Sequence, residues 1–168
     1  PISRNGRAGG MHIVGTKSTD TDMVTKYDRE SESMIVAALR AARPNDSIIG
    51  EEGTGHRGSS GVEWHIDPID GTTSFMYGLP TWCVSVGARD EEGGLVGAVY
   101  VPDLDEMFAA RRGGGATLND KAISCTSQSD VSKALVSTGF SYSPAQRTVQ
   151  SSRVSEFIHR IRDVRRMG

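Results

Sequence analysis

Cysteine is nearly missing: Cys83 and Cys125 are the whole complement, and they stand in unrelated contexts. Two such thiols exclude a disulfide framework and a structural zinc site, and they suit a reducing, cytoplasmic setting. The histidines add nothing to that count, because His12, His56, His65 and His159 form no His-x-x-His or His-Glu pairing of the zinc type. Long apolar runs are missing too. No stretch approaches the roughly 20 residues that span a bilayer, and no charged-then-apolar signal segment opens the chain, so no membrane partner is expected. Excess charge of one sign is the third absence. With 19 basic residues against 21 acidic ones, no basic field is available for a polyanion, and no nucleic-acid partner is expected. The basic residues gathered between Arg160 and Arg166 read as a solvated helix face and the strand after it.

The chain is long enough, at 168 residues, to bury one real core. Met34, Ile35, Ala38, Leu39 and Ala42 recur at helical spacing behind the acidic residues Asp28, Glu30 and Glu32, which predicts a helix over 28–43 that Pro44 ends. Strand composition follows at 47–50 and 61–66, then at 82–89 and 95–101 around the turn residues Asp90 to Gly94, and again at 106–111 and 116–118. Gly113-Gly114-Gly115 sits between strands without a following Lys-Ser or Lys-Thr, so it reads as a hairpin turn rather than a phosphate loop. A strand at 134–138 and an amphipathic helix carrying Val154, Phe157, Ile158 and Ile161 complete the pattern. Helix, strands, hairpins, helix with short connections predicts an α+β fold with antiparallel pairing. Trp64 and Trp82 read as packing residues.

Chemistry concentrates in Trp64-His65-Ile66-Asp67-Pro68-Ile69-Asp70-Gly71-Thr72-Thr73-Ser74-Phe75. A strand leads in, Pro68 stiffens the reversal, and Gly71 permits close backbone approach just before Thr72 opens a helix. Such a turn places carboxylates suited to a hard cation beside amides suited to an anion. Asp67 and Asp70 are the carboxylates, the N–H groups of Gly71 and Thr72 a phosphate cradle, and the Ile69 carbonyl a further oxygen donor. Upstream, Ile48-Ile49-Gly50-Glu51-Glu52-Gly53 ends another strand on a carboxylate pair. The alternating ligands and terminal Glu of an EF-hand are absent.

These two segments, with Asp22-Met23-Val24-Thr25-Lys26-Tyr27-Asp28 before them, resemble in order and spacing the inositol monophosphatase family of Mg²⁺-dependent, lithium-sensitive phosphatases. The resemblance covers most of the chain, including Ser137-Thr138-Gly139-Phe140. It implies a layered fold in which an antiparallel sheet lies against a pair of helices, with residues 1–168 as its N-terminal, metal-binding portion and the C-terminal half absent. The polar, Gly-rich opening from Pro1 to Gly10, without helical periodicity or an initial Met, reads as that of an internal fragment. The resemblance further implies that Glu51, Asp67 and the Ile69 carbonyl hold one Mg²⁺, that Asp67 and Asp70 share a second, and that two or three ions serve a complete site. Glu51 and Thr72 would position and activate the attacking water, with Asp28 orienting Thr72 through a hydrogen bond. Glu52 is placed behind these ligands, Asp22 and Thr25 are scaffold, and Lys17 is the position of a loop lysine near a third metal. Ser74 departs from the more usual Asn.

The function so implied is hydrolysis of a small polyol or sugar monophosphate, inositol 1-phosphate first, by a homodimer. Histidinol phosphate and fructose 1,6-bisphosphate are the rival substrates. Bisphosphate nucleotidases carry Lys-Glu where this chain has Thr73-Ser74. A non-catalytic fragment or binding module is the competing class.

Overall fold

The computed structural model describes residues 13–16 and 23–166. Two short strands, β1 (Ile13–Thr16) and β2 (Met23–Thr25), pair antiparallel and lead directly into helix α1 (Lys26–Ala42). Asp28, Glu32 and Val36, four residues apart and hence on one helical face, are all buried, whereas Met34 is exposed. The inward stripe therefore only partly overlaps the apolar stripe read in the sequence, Ile35 and Leu39 lying half-buried beside it. It carries two carboxylates, which are rarely buried without partners.

An eight-stranded sheet is the largest unit among the described residues. In the order β10-β9-β8-β7-β6-β5-β3-β4, its strands are β3 (Ser47–Gly50), β4 (Gly55–His56), β5 (Glu63–Asp70), β6 (Cys83–Asp90), β7 (Gly93–Val101), β8 (Glu106–Arg111), β9 (Gly115–Leu118) and β10 (Lys121–Ile123). From β5 to β10 each strand pairs antiparallel with the next, through the 71–82 segment between β5 and β6 and through tight hairpins thereafter, including the one at the triple glycine. The fold is thus mixed α+β, as expected.

One pairing in this sheet departs from the antiparallel expectation. β3 and β5 run parallel, Ser47 beside Glu63 and Gly50 beside Ile66, with β4 turned back along the outer edge of β3. The chain between them must cross from one end of the sheet to the other, and β4 with the 57–62 loop provides that return. Asp46, only 3% exposed, ties the corner: its carboxylate accepts from Ser60 Oγ at 2.7 Å, Trp64 Nε1 at 2.9 Å and Arg43 Nε at 2.9 Å. Those hydrogen bonds, Ser60 and Trp64 foremost, hold its pKa down at about 2.

Beyond the sheet, β11 (Leu135–Ser137) and β12 (Asp163–Arg165) form a second parallel pair across helix α3 (Pro144–Phe157). The helix starts earlier than Val154 and ends before Ile161; none of its residues is fully buried, and Val154 and Phe157 are half-buried on an otherwise mostly exposed helix.

Two apolar clusters hang on β5. On one side Val36 of α1 meets Ile48 and Ile66, with Ile35, Leu39, Trp64 and Val86 around them. At the other end Tyr27, Ile69, Phe75 and Trp82 pack together, the Phe75 and Trp82 rings edge to face with centroids 4.9 Å apart. Among the described residues no helix is long and apolar enough to cross a membrane.

Candidate functional site at the ends of two parallel strands

Parallel pairing brings the C-terminal ends of β3 and β5 to one edge. Glu51, the first residue past β3, donates its N–H to the Ile66 carbonyl at 3.0 Å, and Asp67 follows Ile66. The two carboxylate residues border a common hollow of about 370 Å³, Glu51 exposed and Asp67 half-buried.

Past Asp67 the ladder breaks, because Pro68 has no N–H to donate. Asp67 faces Ser85 and Asp70 faces Cys83, so two residues of β5 oppose one of β6 and the strand bulges. The Asp67 carboxylate accepts from the Ile69 N–H at 3.1 Å, an Asx turn that fixes its direction. Asp70 is exposed on the far side of the bulge. It accepts from the Cys83 thiol at 3.7 Å, and burial, reinforced by the Asp70 charge, pushes that thiol up to about 12.

Gly71 then closes the strand with φ 86°, a left-handed conformation that favours glycine. Space demands glycine as well: a Cβ there would lie 3.0 Å from the Thr81 carbonyl oxygen. Helix α2 (Thr72–Met76) begins at once, with Gly71 rather than Thr72 at its cap position. The Thr72 hydroxyl is consequently released for another task. It is buried, donates to the Ile69 carbonyl at 3.1 Å, and lies 3.5 Å from Asp28 Oδ1. Asp28, 1% exposed, does reach Thr72 as expected, but the Ile69 carbonyl is the shorter partner. That partner was not foreseen, although a carbonyl three residues back is a standard acceptor for a Thr at a helix start.

Asp70 and Gly71 also border a larger cavity of about 690 Å³, whose far wall is Phe140, Tyr142, Arg147 and Arg166. The Thr73 and Tyr142 hydroxyls lie 3.3 Å apart across it. The structure therefore brings Glu51 with Asp67, Thr72 with Asp28 and Ile69, and Asp70 with Gly71, in three adjoining groups along one edge. Lys17 and Asp22 lie outside the described residues.

The side-chain and carbonyl donors of Glu51, Asp67, Asp70 and Ile69 are all oxygens, the set a hard cation requires. The Ile69 carbonyl keeps a second lone pair after accepting from Thr72. Among the described residues no three Asp, Glu, His or Cys side chains converge on one point to hold a metal ion. The donor chemistry fits Mg²⁺, an ion that retains several waters and takes few protein ligands.

One residue that the sequence pattern had assigned only to the helix dipole belongs here. The buried Glu32 carboxylate accepts from the backbone N–H of Glu52 at 2.8 Å and of Thr54 at 3.1 Å. The clue available was its spacing of four from Asp28.

Comparison with known proteins places these elements in a lineage. A family model described as the inositol monophosphatase family matches residues 3–168. The inositol-1-monophosphatase of Mycobacterium leprae is 40% identical over 172 residues, covering 97% of this chain and 59% of that protein. A Thermotoga maritima IMPase structure superposes with a TM-score of 0.86 at 30% identity, covering 99% of this chain and 63% of the other. The extragenic suppressor protein suhB of Bartonella henselae gives a TM-score of 0.89 at 27% identity, covering 99% and 64% respectively. The chain thus spans about three-fifths of the length of these relatives.

Proposed function

The chain belongs to the inositol monophosphatase family, and on that premise we propose that it supplies the cation- and phosphate-binding edge of a Mg²⁺-dependent phosphatase for small polyol or sugar monophosphates, inositol 1-phosphate first. One observation carries the reading: the parallel register of β3 and β5 sets Glu51 beside Asp67, and the bulge after Pro68 turns Asp70 toward the adjoining cavity.

Glu51, Asp67, Asp70 and the Ile69 carbonyl are the residues that would hold two or three Mg²⁺ ions. Such ions neutralise the phosphate monoester and stabilise the departing alkoxide. The chain's own groups supply the rest. With its proton committed to Ile69 or Asp28, the Thr72 oxygen presents lone pairs that accept a hydrogen bond from the attacking water. Glu51, exposed just past the end of β3, takes the proton that this water loses. The N–H groups of Gly71 and Thr72 face the phosphate oxygens. Arg147 and Arg166 line the far wall of a cavity whose roughly 690 Å³ lies in the range of small-molecule sites, and they favour an anionic ligand. We take the working protein to be a homodimer, which light scattering reads directly.

The test is phosphate release by the protein containing this chain from inositol 1-phosphate, histidinol phosphate and fructose 1,6-bisphosphate, with and without Mg²⁺. Release that requires Mg²⁺ and is fastest with inositol 1-phosphate is expected. Release independent of divalent cations, or none from any of the three, contradicts the proposal. A preference for one of the other two moves the substrate and keeps the chemistry.

A further inference from the structure

We propose that Glu32 is a positioning residue that sets the Mg²⁺ affinity of this edge by clamping the loop that carries Glu51, an inference that rests on the reading of Glu51 as a metal ligand. Glu32 is 1% exposed, on a helix whose neighbouring inward residue, Val36, packs in an apolar cluster. A carboxylate is costly to desolvate there unless it is hydrogen-bonded. Its two oxygens are divided between two backbone amides, Oε2 taking the Glu52 N–H at 2.8 Å and Oε1 the Thr54 N–H at 3.1 Å. Bidentate, charge-assisted bonding of this kind fixes orientation as well as position.

The consequence falls on Glu51. Its own N–H is held by the Ile66 carbonyl at 3.0 Å, and the next N–H along the chain is held by Glu32. Both peptide groups flanking the Glu51 Cα are therefore pinned, one to β5 and one to α1. The direction in which its side chain leaves the backbone follows, even though the side chain itself is exposed. Gly50 shows how tightly the loop is pressed onto the clamp: a Cβ there would lie 2.3 Å from the Glu32 carboxylate. A side chain at position 50 would thus have to displace the Glu32 carboxylate from its two amides.

Partners one step behind a metal ligand are worth about 10–100-fold in metal affinity. In the protein containing this chain, Glu32→Gln can satisfy only one of the two amides, because its NH₂ faces the other. Mg²⁺ titration by calorimetry should show a dissociation constant raised by about tenfold or more, and hydrogen exchange should show lost protection at the Glu52 and Thr54 amides. Glu32→Asp, which keeps the charge but withdraws it by one methylene, should do the same and serves if the Gln variant does not fold. Val36→Ala, on the same helical face, controls for general destabilisation and should leave the Mg²⁺ constant unchanged. An unaltered Mg²⁺ constant in both Glu32 variants, unaltered exchange at the two amides, or an equal loss in Val36→Ala overturns the inference. Failure of the wild-type protein to bind Mg²⁺ at all overturns instead the metal reading beneath it, and the inference with it.

Discussion

Thr72 illustrates how one backbone conformation releases a side chain for chemistry. A Thr at the start of a helix ordinarily caps it, but Gly71 occupies the cap position in a left-handed conformation, and the Thr72 hydroxyl turns instead to Ile69 and Asp28. If that hydroxyl orients water, Thr72→Ala should lower kcat by about 10²-fold or more, the lower end of what a positioned proton-handling group contributes, with KM little changed. Asp28→Asn should act through the same oxygen, more weakly because the Ile69 carbonyl remains as a partner. Steady-state kinetics of both single mutants and the double mutant check the coupling: losses smaller together than multiplied are expected, and losses that simply multiply would show that Asp28 serves only its helix.

At the scale of elements, the corner between α1, β3 and β5 holds the two parallel strands in register, and Asp46 is its knot. The folded carboxyl has a pKa of about 2 against an ordinary value of 3.8. A depressed value means that the unfolded chain binds the proton more readily, so the contribution is full above about pH 4 and fades as pH falls toward 2. Asp46→Ala should cost about 1–3 kcal/mol by removing the hydrogen bonds that tie Ser60, Arg43 and the half-buried Trp64 N–H to the corner. Melting temperatures measured from pH 6 down to pH 2 should show the gap between wild type and mutant narrowing across that window. A gap independent of pH would contradict the assignment.

These elements also show what a linear reading reaches. The Asp67–Thr72 motif, the hairpins around Gly93 and Gly113, and helix α1 were legible because each is local: turn residues, alternation and helical spacing lie within a few residues. The parallel pairing of β3 with β5 was not, since short connections favour hairpins and the β4 detour carries little signal of its own. Nor was the clamp by Glu32, whose partners lie 20 and 22 residues away. In helix α3 the spacing of Val154 and Phe157 located the helix but not its depth, since both are only half-buried and none of its residues is fully buried.

At the scale of the whole molecule, β5 serves both clusters of the core and ends in the candidate site, so stability and site geometry share one strand. Phe75 joins them. It is fully buried, lies between Tyr27 and Trp82, and sits one turn after Thr72. Phe75→Ala should cost about 3–5 kcal/mol, a large part of a typical domain's stability, and should loosen α2 together with the Thr72 hydroxyl. Chemical denaturation checks the first effect. A loss below about 1 kcal/mol would show that the Tyr27–Trp82 cluster collapses around the gap.

The proposed function has the edge formed by β3 and β5 bind Mg²⁺ through Glu51, Asp67 and Asp70 to hydrolyse a phosphate monoester. Asp70 is the most direct place to test it: it is exposed and outside both core clusters, so its replacement by Asn should spare the fold. Turnover of inositol 1-phosphate at saturating Mg²⁺ should fall by about 10²–10³-fold in Asp70→Asn, in line with the several kcal/mol of charge stabilisation a catalytic metal provides, while the melting temperature stays near wild type. Turnover unchanged under those conditions would contradict the account.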